Sequence, residues 1–325
     1  MTESTGGLTR ALLLDGNGGA TPTDWDGVHN WSPEQGILWV HLNFEQAQAA
    51  HWIQERSGLN DIAYTALMSD QTRPRAISRG DNLLLALRGV NLNPGQDPED
   101  MVSLRIWTNG NIIISTHRRN LLAVQDIVET LEDGNGPTTV ADWVVDLNDR
   151  LLQRMSDTVE NLEESVMSLE ERVLEEDTRG LRHELAELRN QALGIRRFLS
   201  PQREAINRLA LERLTWMDEL NALRLRELTD RLVRYIEDID TVRERAGMAQ
   251  DQLMSTLSEQ MNARTYVLTI VAALFLPLGF FTGLMGINVG GMPGVESDVA
   301  FWIVVAMCLG ITVTLGITFY LKKWL

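Results

Sequence analysis

A short loop near the C-terminal end of this sequence contains residues that could bind a hydrated cation through neutral oxygen atoms. Gly286, Ile287 and Asn288 follow a long apolar run, and Asn288 carries an amide carbonyl oxygen. A ring of such neutral oxygens can bind the water shell of a hydrated divalent ion without stripping it, and the glycine permits close backbone approach. The competing interpretation is that Asn288 only caps the end of a helix in the left-handed conformation.

Seven residues before this loop share one helical face, because they recur at intervals of three or four. The small residues among them leave room for a partly hydrated ion, and the two leucines would form apolar collars that close by dewetting. Small residues equally serve helix–helix packing. The candidate pore-lining residues are Asn262, Thr265, Leu268, Ala272, Leu276, Gly279 and Gly283.

Two acidic residues, Glu296 and Asp298, are the only charged residues in the segment 286–298. Repeated around a symmetry axis, they would concentrate cations at an outer entrance. Ordinary solvated loop carboxylates are an equally good interpretation.

Two uncharged apolar runs, at 265–295 and 299–321, each exceed the roughly 20 residues that a helix needs to cross a bilayer. Arg264 precedes the first run, Lys322 and Lys323 follow the second, and the connecting segment has no Lys or Arg. The positive-inside rule then places both termini in the cytoplasm and the connecting loop outside. We therefore expect a two-span protein of the inner (plasma) membrane, in contact with lipid.

The other residues exclude several classes of protein. A formal net charge of −16 argues against nucleic acid as a partner. The single cysteine, Cys308, lies in the second apolar run, and the five histidines are not at metal-binding spacing. No phosphate-binding loop, nucleophile elbow or zinc-protease motif occurs, so we expect no enzyme activity and no permanently bound cofactor.

The N-terminal part predicts an α+β domain with a mixed sheet flanked by helices. Strand-like apolar runs occur at 11–14, 37–42, 83–90, 102–107 and 112–115, and helix-like segments occur at 45–57 and 61–69. Asn109 and Gly110 between two of these runs predict a tight hairpin turn. From about residue 140 the pattern becomes helical, with an acidic outer face and a break near 178–180.

A long stalk helix is predicted next, starting at Pro201, with Ser200 as its N-cap. Its apolar stripe requires partner helices and favours packing around a symmetry axis. The predicted boundaries are 1–200 for the cytoplasmic domain with its hairpin at about 140–199, 201–264 for the stalk, 265–285 and 299–321 for the two transmembrane helices, 286–298 for the outer loop, and 322–325 for the tail. On periodicity alone, a membrane-anchored coiled-coil scaffold or sensor fits equally well.

With Gly286, Ile287 and Asn288 at the end of such a stalk, the chain resembles the CorA superfamily of metal-ion transporters. The following residues Val289–Gly294, the stretch 89–107 and the segment Thr72–Arg75 are similar to its zinc-associated ZntB branch. The resemblance covers essentially the whole chain. It implies a funnel-shaped homopentamer with the stalk helix lining the pore, the second span outside it, and Asn288 facing the hydrated metal ion.

The residues themselves do not choose the metal, because Zn²⁺ prefers Cys and His ligands. Zinc is what the resemblance implies, with Cd²⁺, Ni²⁺ and Co²⁺ expected to pass as well. A negative interior favours uptake of a divalent cation. Proton assistance, zinc efflux, and magnesium or cobalt transport by the same pore remain alternatives.

Overall fold

The structure is a computed structural model that describes residues 5–70, 72–175, 180–287 and 297–322. The chain divides into two compact units, Met1–Asp251 and Gln252–Leu325.

The first unit is built on a seven-stranded mixed sheet with the strand order β2-β1-β3-β7-β6-β5-β4. All neighbouring strands are antiparallel except β3 and β7, which run parallel. The predicted mixed sheet is therefore confirmed, and two short strands are added to it. The strands are β1 Leu8–Leu14, β2 Ala20–Pro22, β3 Ile37–Asn43, β4 Arg75–Arg79, β5 Asn82–Gly89, β6 Val102–Thr108 and β7 Ile112–His117.

Four helices accompany the sheet: α1 Trp25–Asn30, α2 Ala47–Glu55, α3 Asp61–Met68 and α4 Leu122–Glu132. Helices α2 and α3 fall inside the predicted segments 45–57 and 61–69. A core joins them to the sheet, because Trp52, Ile53 and Leu67 are buried in one cluster with Val40 and Ile114.

Two long helices, α5 Val140–Leu174 and α6 Leu181–Leu209, form the predicted acidic hairpin. The apolar residues at three-and-four spacing in α5, from Leu162 to Val173, are buried as expected. The break between these helices was predicted at residues 178–180. Gly180 directly precedes α6 with a φ of +75°, and residues 178 and 179 lie outside the described residues.

The prediction that a stalk helix starts at Pro201 is wrong. Pro201 lies inside α6, and the stalk helix is α7, which runs from Glu219 to Met285. Between them the chain leaves the helical path because Trp216 and Thr215 bond to Asp81, at the turn between β4 and β5. Asp218 then accepts a 2.7 Å hydrogen bond from the Asn221 amide and starts the new helix.

Within the first unit, α7 packs through buried residues at three-and-four spacing and through ion pairs with side chains of the hairpin. Arg231 reaches Asp149 of α5 at 2.6 Å, and Arg196 of α6 reaches Asp240 of α7 at 2.5 Å. Each pair is partly exposed, so each contributes at most about 1 kcal/mol. The buried residues of α7 in this unit are Asn221, Leu225, Leu228, Thr229, Leu232, Ile236, Ile239, Val242, Ala246 and Ala249.

The second unit contains the C-terminal part of α7 and the apolar helix α8 Ala300–Leu321. Among the described residues, α7 and α8 are long and apolar enough to cross a membrane. Helix α7 has 67 residues and is therefore about 100 Å long.

Candidate ion pathway

All seven candidate pore-lining residues lie on α7, and the structure places them on one exposed face of that helix. Leu268 and Leu276 are 69% and 77% exposed, although both are large apolar residues. Within a single chain, nothing covers this face among the residues that the structure describes. A face of this kind is available to the lumen of a pore, to further copies of the helix or to lipid.

The opposite face of α7 is the covered one. Ile270, Leu274, Leu278 and Phe281 are half-buried, and a 3.6-residue repeat puts them about 180° from the candidate pore face. In α8, Cys308, Ile311 and Leu315 are half-buried at matching intervals, and Phe319 is buried. Each span thus has one partly buried face, and the candidate pore residues are on the more exposed side of α7.

The chemistry of the open face is neutral throughout. Asn262 and Thr265 supply amide and hydroxyl groups, and none of the residues from 265 to 285 is ionisable except Tyr266. A side chain added at Gly279 or Gly283 would meet no atom within 4 Å. This face can therefore pass a hydrated cation by spacing and weak oxygen contacts, without binding it at a fixed charge.

Pro277 interrupts the hydrogen-bond ladder of this segment, because proline has no backbone N–H to donate to the carbonyl of Ala273. An apolar groove runs along the helix surface at this point. It is lined by Ala272, Phe275, Leu276, Pro277, Gly279 and Phe280.

At the end of α7 the Gly286 amide bonds to the carbonyl oxygens of Thr282 and Gly283, at 3.0 and 3.1 Å. Ile287 follows and is 47% exposed. Asn288 and Glu296 lie outside the described residues. Asp298, the other predicted entrance acid, is exposed just before α8.

The described residues contain no group of three or more His, Cys, Asp or Glu side chains that could hold a metal ion. Two histidines that are far apart in sequence do meet: the rings of His41 and His117 stack with centroids 4.3 Å apart. Their strands β3 and β7 are parallel neighbours, a pairing that residue spacing alone does not reveal.

The histidine pair is a structural element of the sheet. His41 Nδ1 lies 2.8 Å from Ser115 Oγ, and His117 Nε2 lies 2.9 Å from Thr9 Oγ1. Burial lowers the pKa of His41 well below its ordinary value, and His117 and Arg10 lower it further. Burial also lowers the pKa of His117. Neutral imidazoles bonded to hydroxyls tie β1, β3 and β7 together.

Comparison with known proteins gives relatives along the whole chain. The family model described as "CorA-like Mg2+ transporter protein" matches residues 34–323. The "Zinc transport protein ZntB" of Pectobacterium atrosepticum is 36% identical, over 98% of this chain and 96% of the relative. The "Divalent cation transporter CmaX" of Pseudomonas aeruginosa is 37% identical, over 98% and 97%.

Solved structures agree with these matches. The structure of the full-length CmaX protein is 35% identical and superposes with a TM-score of 0.87, over 100% of both chains. The CorA magnesium transporter from Methanocaldococcus jannaschii has a TM-score of 0.82 over 97% of this chain and 98% of its own, at 18% identity, which shows the shared fold. The exposed neutral face of α7, the two apolar helices and the relatives along the full length lead to one conclusion: this chain belongs to the CorA family of metal-ion transporters and is a transporter, not an enzyme.

Proposed function

We propose that this chain assembles as a homopentamer in the inner membrane and conducts divalent cations, zinc among them, into the cytoplasm. The observation that carries the proposal is the open face of α7, which places amide, hydroxyl and small residues along one line and has no charged side chain. Lipid would cover an apolar face equally well, but five copies of this face around an axis would enclose its polar and small residues in a lumen. Helix α8 would then lie on the outside, between α7 and lipid.

The metal is proposed from the relatives. One is named a zinc transport protein and another, equally similar, a divalent cation transporter. A neutral lining with an Asn288 ring at its mouth contacts the water shell of the ion and discriminates weakly among divalent ions. We therefore propose Zn²⁺ as the principal ion, with Cd²⁺, Ni²⁺ and Co²⁺ as further substrates.

The direction is proposed from energetics. A potential of about 100 mV, negative inside, drives each positive charge inward by about 2.3 kcal/mol, and a divalent ion by about twice that. Efflux would require coupling to another gradient. The lining from Thr265 to Gly283 has no carboxylate, lysine or histidine to relay protons, so we propose uptake driven by the potential, with any proton assistance acting outside the lining.

The experiment is flux into liposomes that contain a zinc-sensitive dye. With pentamers verified in the membrane, the protein should give zinc flux above that of empty liposomes, and an inside-negative potential should increase it. Absence of flux would leave the membrane-anchored scaffold as the better account. Replacing zinc by magnesium with a magnesium dye tests the family's other ion, and adding a pH gradient tests proton assistance.

Two sets of variants test the roles of the loop residues. Asn288→Ala should lower flux or change the preference among Zn²⁺, Cd²⁺ and Mg²⁺, whereas a purely capping Asn288 would leave both unchanged. Glu296→Gln with Asp298→Asn should lower flux most at low ionic strength, because an acidic entrance attracts cations through a screened field. A loss that is independent of salt would argue against an electrostatic role.

A further inference from the structure

The first unit contains a cavity of about 860 Å³ that the transport mechanism does not use. Its wall is formed by β5, β6, the segments before β4 and after β7, and the middle of α6. The size lies within the range of small-molecule sites. The lining residues that matter to its chemistry are six arginines, Arg73, Arg88, Arg105, Arg118, Arg119 and Arg197, and three acids, Asp70, Glu99 and Asp100.

Arg105 is the deepest of these groups, being only 2% exposed. Its Nη2 donates a 2.9 Å hydrogen bond to the carbonyl oxygen of Asp70, and its guanidinium lies 4.6 Å from the centre of the Phe44 ring. Its Nε and Nη1 atoms are buried without a hydrogen-bond partner among the described residues. A buried cation with two unused donors is costly unless another group or ordered water completes it.

The surrounding arginines are not equivalent. All three guanidinium nitrogens of Arg88 already donate hydrogen bonds, to the carbonyl oxygens of Thr72 and Met101. The guanidinium also stacks on Phe198 at 4.5 Å. Arg118 forms ion pairs with Glu45 and Asp70, at 2.8 and 3.2 Å.

Even so, six guanidinium groups outnumber three carboxylates on this wall, in a chain whose net charge is −16. The concentration of positive charge is therefore local to the cavity. Burial, with Arg88 nearby, lowers the pKa of Arg105 to about 10, so it remains a cation at neutral pH.

The cavity wall also contains a carboxylate oxygen that can accept a hydrogen bond and two hydroxyl groups. Glu99 Oε2 is buried without a hydrogen-bond partner in the described part of the chain. The hydroxyls of Thr72 and Ser103 bond to each other at 2.5 Å on the same wall. A ligand that fits this wall needs acidic oxygens for the arginines and hydrogen-bond donors for the carboxylates.

We propose that this cavity binds a small organic phosphate that also carries hydroxyl or amino donors, as a nucleotide does. Planar guanidinium groups match the oxygens of a phosphate in pairs, which a lysine-lined wall would not. The exposed Arg73 and Arg197 bind the phosphate oxygens, and Arg105 adds buried positive charge behind them. The lining carboxylates of Glu99 and Asp100 accept from the ligand's hydroxyl or amino group.

The test is titration calorimetry on the full-length protein in detergent, with AMP and inorganic phosphate as probes at one ionic strength. AMP should bind saturably and more tightly than phosphate. Arg105→Gln should weaken AMP binding at least about tenfold, since it removes a buried positive charge beside the phosphate. The double variant Arg73→Gln/Arg197→Gln alters only exposed side chains, so it remains informative even if Arg105→Gln fails to fold, and it should also weaken AMP binding.

Arg182→Gln is the matched control, because Arg182 is exposed near the start of the same helix, about 18 Å along it from the cavity residue Gly194. It should leave AMP affinity unchanged. No saturable AMP binding at millimolar concentration would mean that the cavity holds only water, and would overturn the proposal. Equal affinity in all variants, or phosphate binding as tightly as AMP, would overturn it too.

Discussion

The indole nitrogen of Trp216 donates a 2.8 Å hydrogen bond to the backbone carbonyl oxygen of Asp81, a residue 135 positions earlier in the chain. The Thr215 amide bonds to the Asp81 carboxylate at the same distance. These two bonds hold the connection between α6 and α7 against the turn between β4 and β5. They hold the non-helical connection that follows Leu209, so the stalk helix begins only at Glu219.

Removing the indole donor tests this explanation. Trp216→Phe keeps an aromatic ring but loses the bond, so the free energy of unfolding should fall by about 1 kcal/mol. Urea unfolding of the full-length protein followed by circular dichroism measures the change. Trp302→Phe, a highly exposed tryptophan in α8, is the control and should have no effect on the first unit. Unchanged stability in Trp216→Phe would mean that something else breaks the helix.

Gly110, in the turn between β6 and β7, meets the same tryptophan. Its φ is +91°, and an added Cβ would lie 2.6 Å from Trp216 Cδ1. Gly110→Ala should therefore combine backbone strain with a clash and destabilise the protein by about 1–3 kcal/mol. Gly16→Ala isolates the backbone cost, because Gly16 also has a positive φ, +76°, but has no atom within 4 Å of an added Cβ. Equal losses in the two variants would contradict the close approach to Trp216.

The sequence predicted much of this fold because its strands are short apolar runs with clear turns. Asn109 and Gly110 mark the β6–β7 hairpin. The edge strand β4, Arg75–Arg79, was missed because its sequence alternates weakly and its pairing depends on β5. Helix α4 was not predicted, although its apolar residues recur at helical spacing and could have indicated it. These residues, all buried, are Ala123, Val124, Ile127, Val128 and Leu131.

The error at Pro201 has a physical cause as well. A serine–proline pair is a common helix start, yet α6 tolerates Pro201 in its interior while the following Gln202 side chain accepts a 2.7 Å hydrogen bond from the Arg88 amide of β5. That contact, like the Trp216–Asp81 bond, joins distant parts of the chain. Local patterns could not predict it, nor the arginine cavity beside it.

The buried histidine pair predicts a specific dependence of stability on pH. The pKa values of His41 and His117 are lowered in the folded protein, so below about pH 6.5 the unfolded chain binds protons that the folded chain does not. The free energy of unfolding should therefore fall as pH decreases from about 7.5 to 5.5, by up to about 1.4 kcal/mol per unit for each histidine.

Variants separate this effect from other titrating groups. His41→Gln should flatten the dependence in that window, whatever its effect on stability at neutral pH. His183→Gln is the control, because the side chain of His183 is 87% exposed and should leave the slope as it is in the unaltered protein. An unchanged slope in His41→Gln would contradict the role of the pair.

The proposed transport function depends on which face of α7 lines the conduction path, and cysteine labelling can identify that face. In a Cys308→Ala background, Leu276→Cys places a thiol on the open face, and Leu274→Cys places one on the half-buried face, about 160° away. The measurement is zinc flux into liposomes before and after a positively charged thiol reagent. If the open face lines the pore, the reagent blocks flux through Leu276→Cys and leaves Leu274→Cys conducting; equal block of both, or block of Leu274→Cys alone, would rule out that lining.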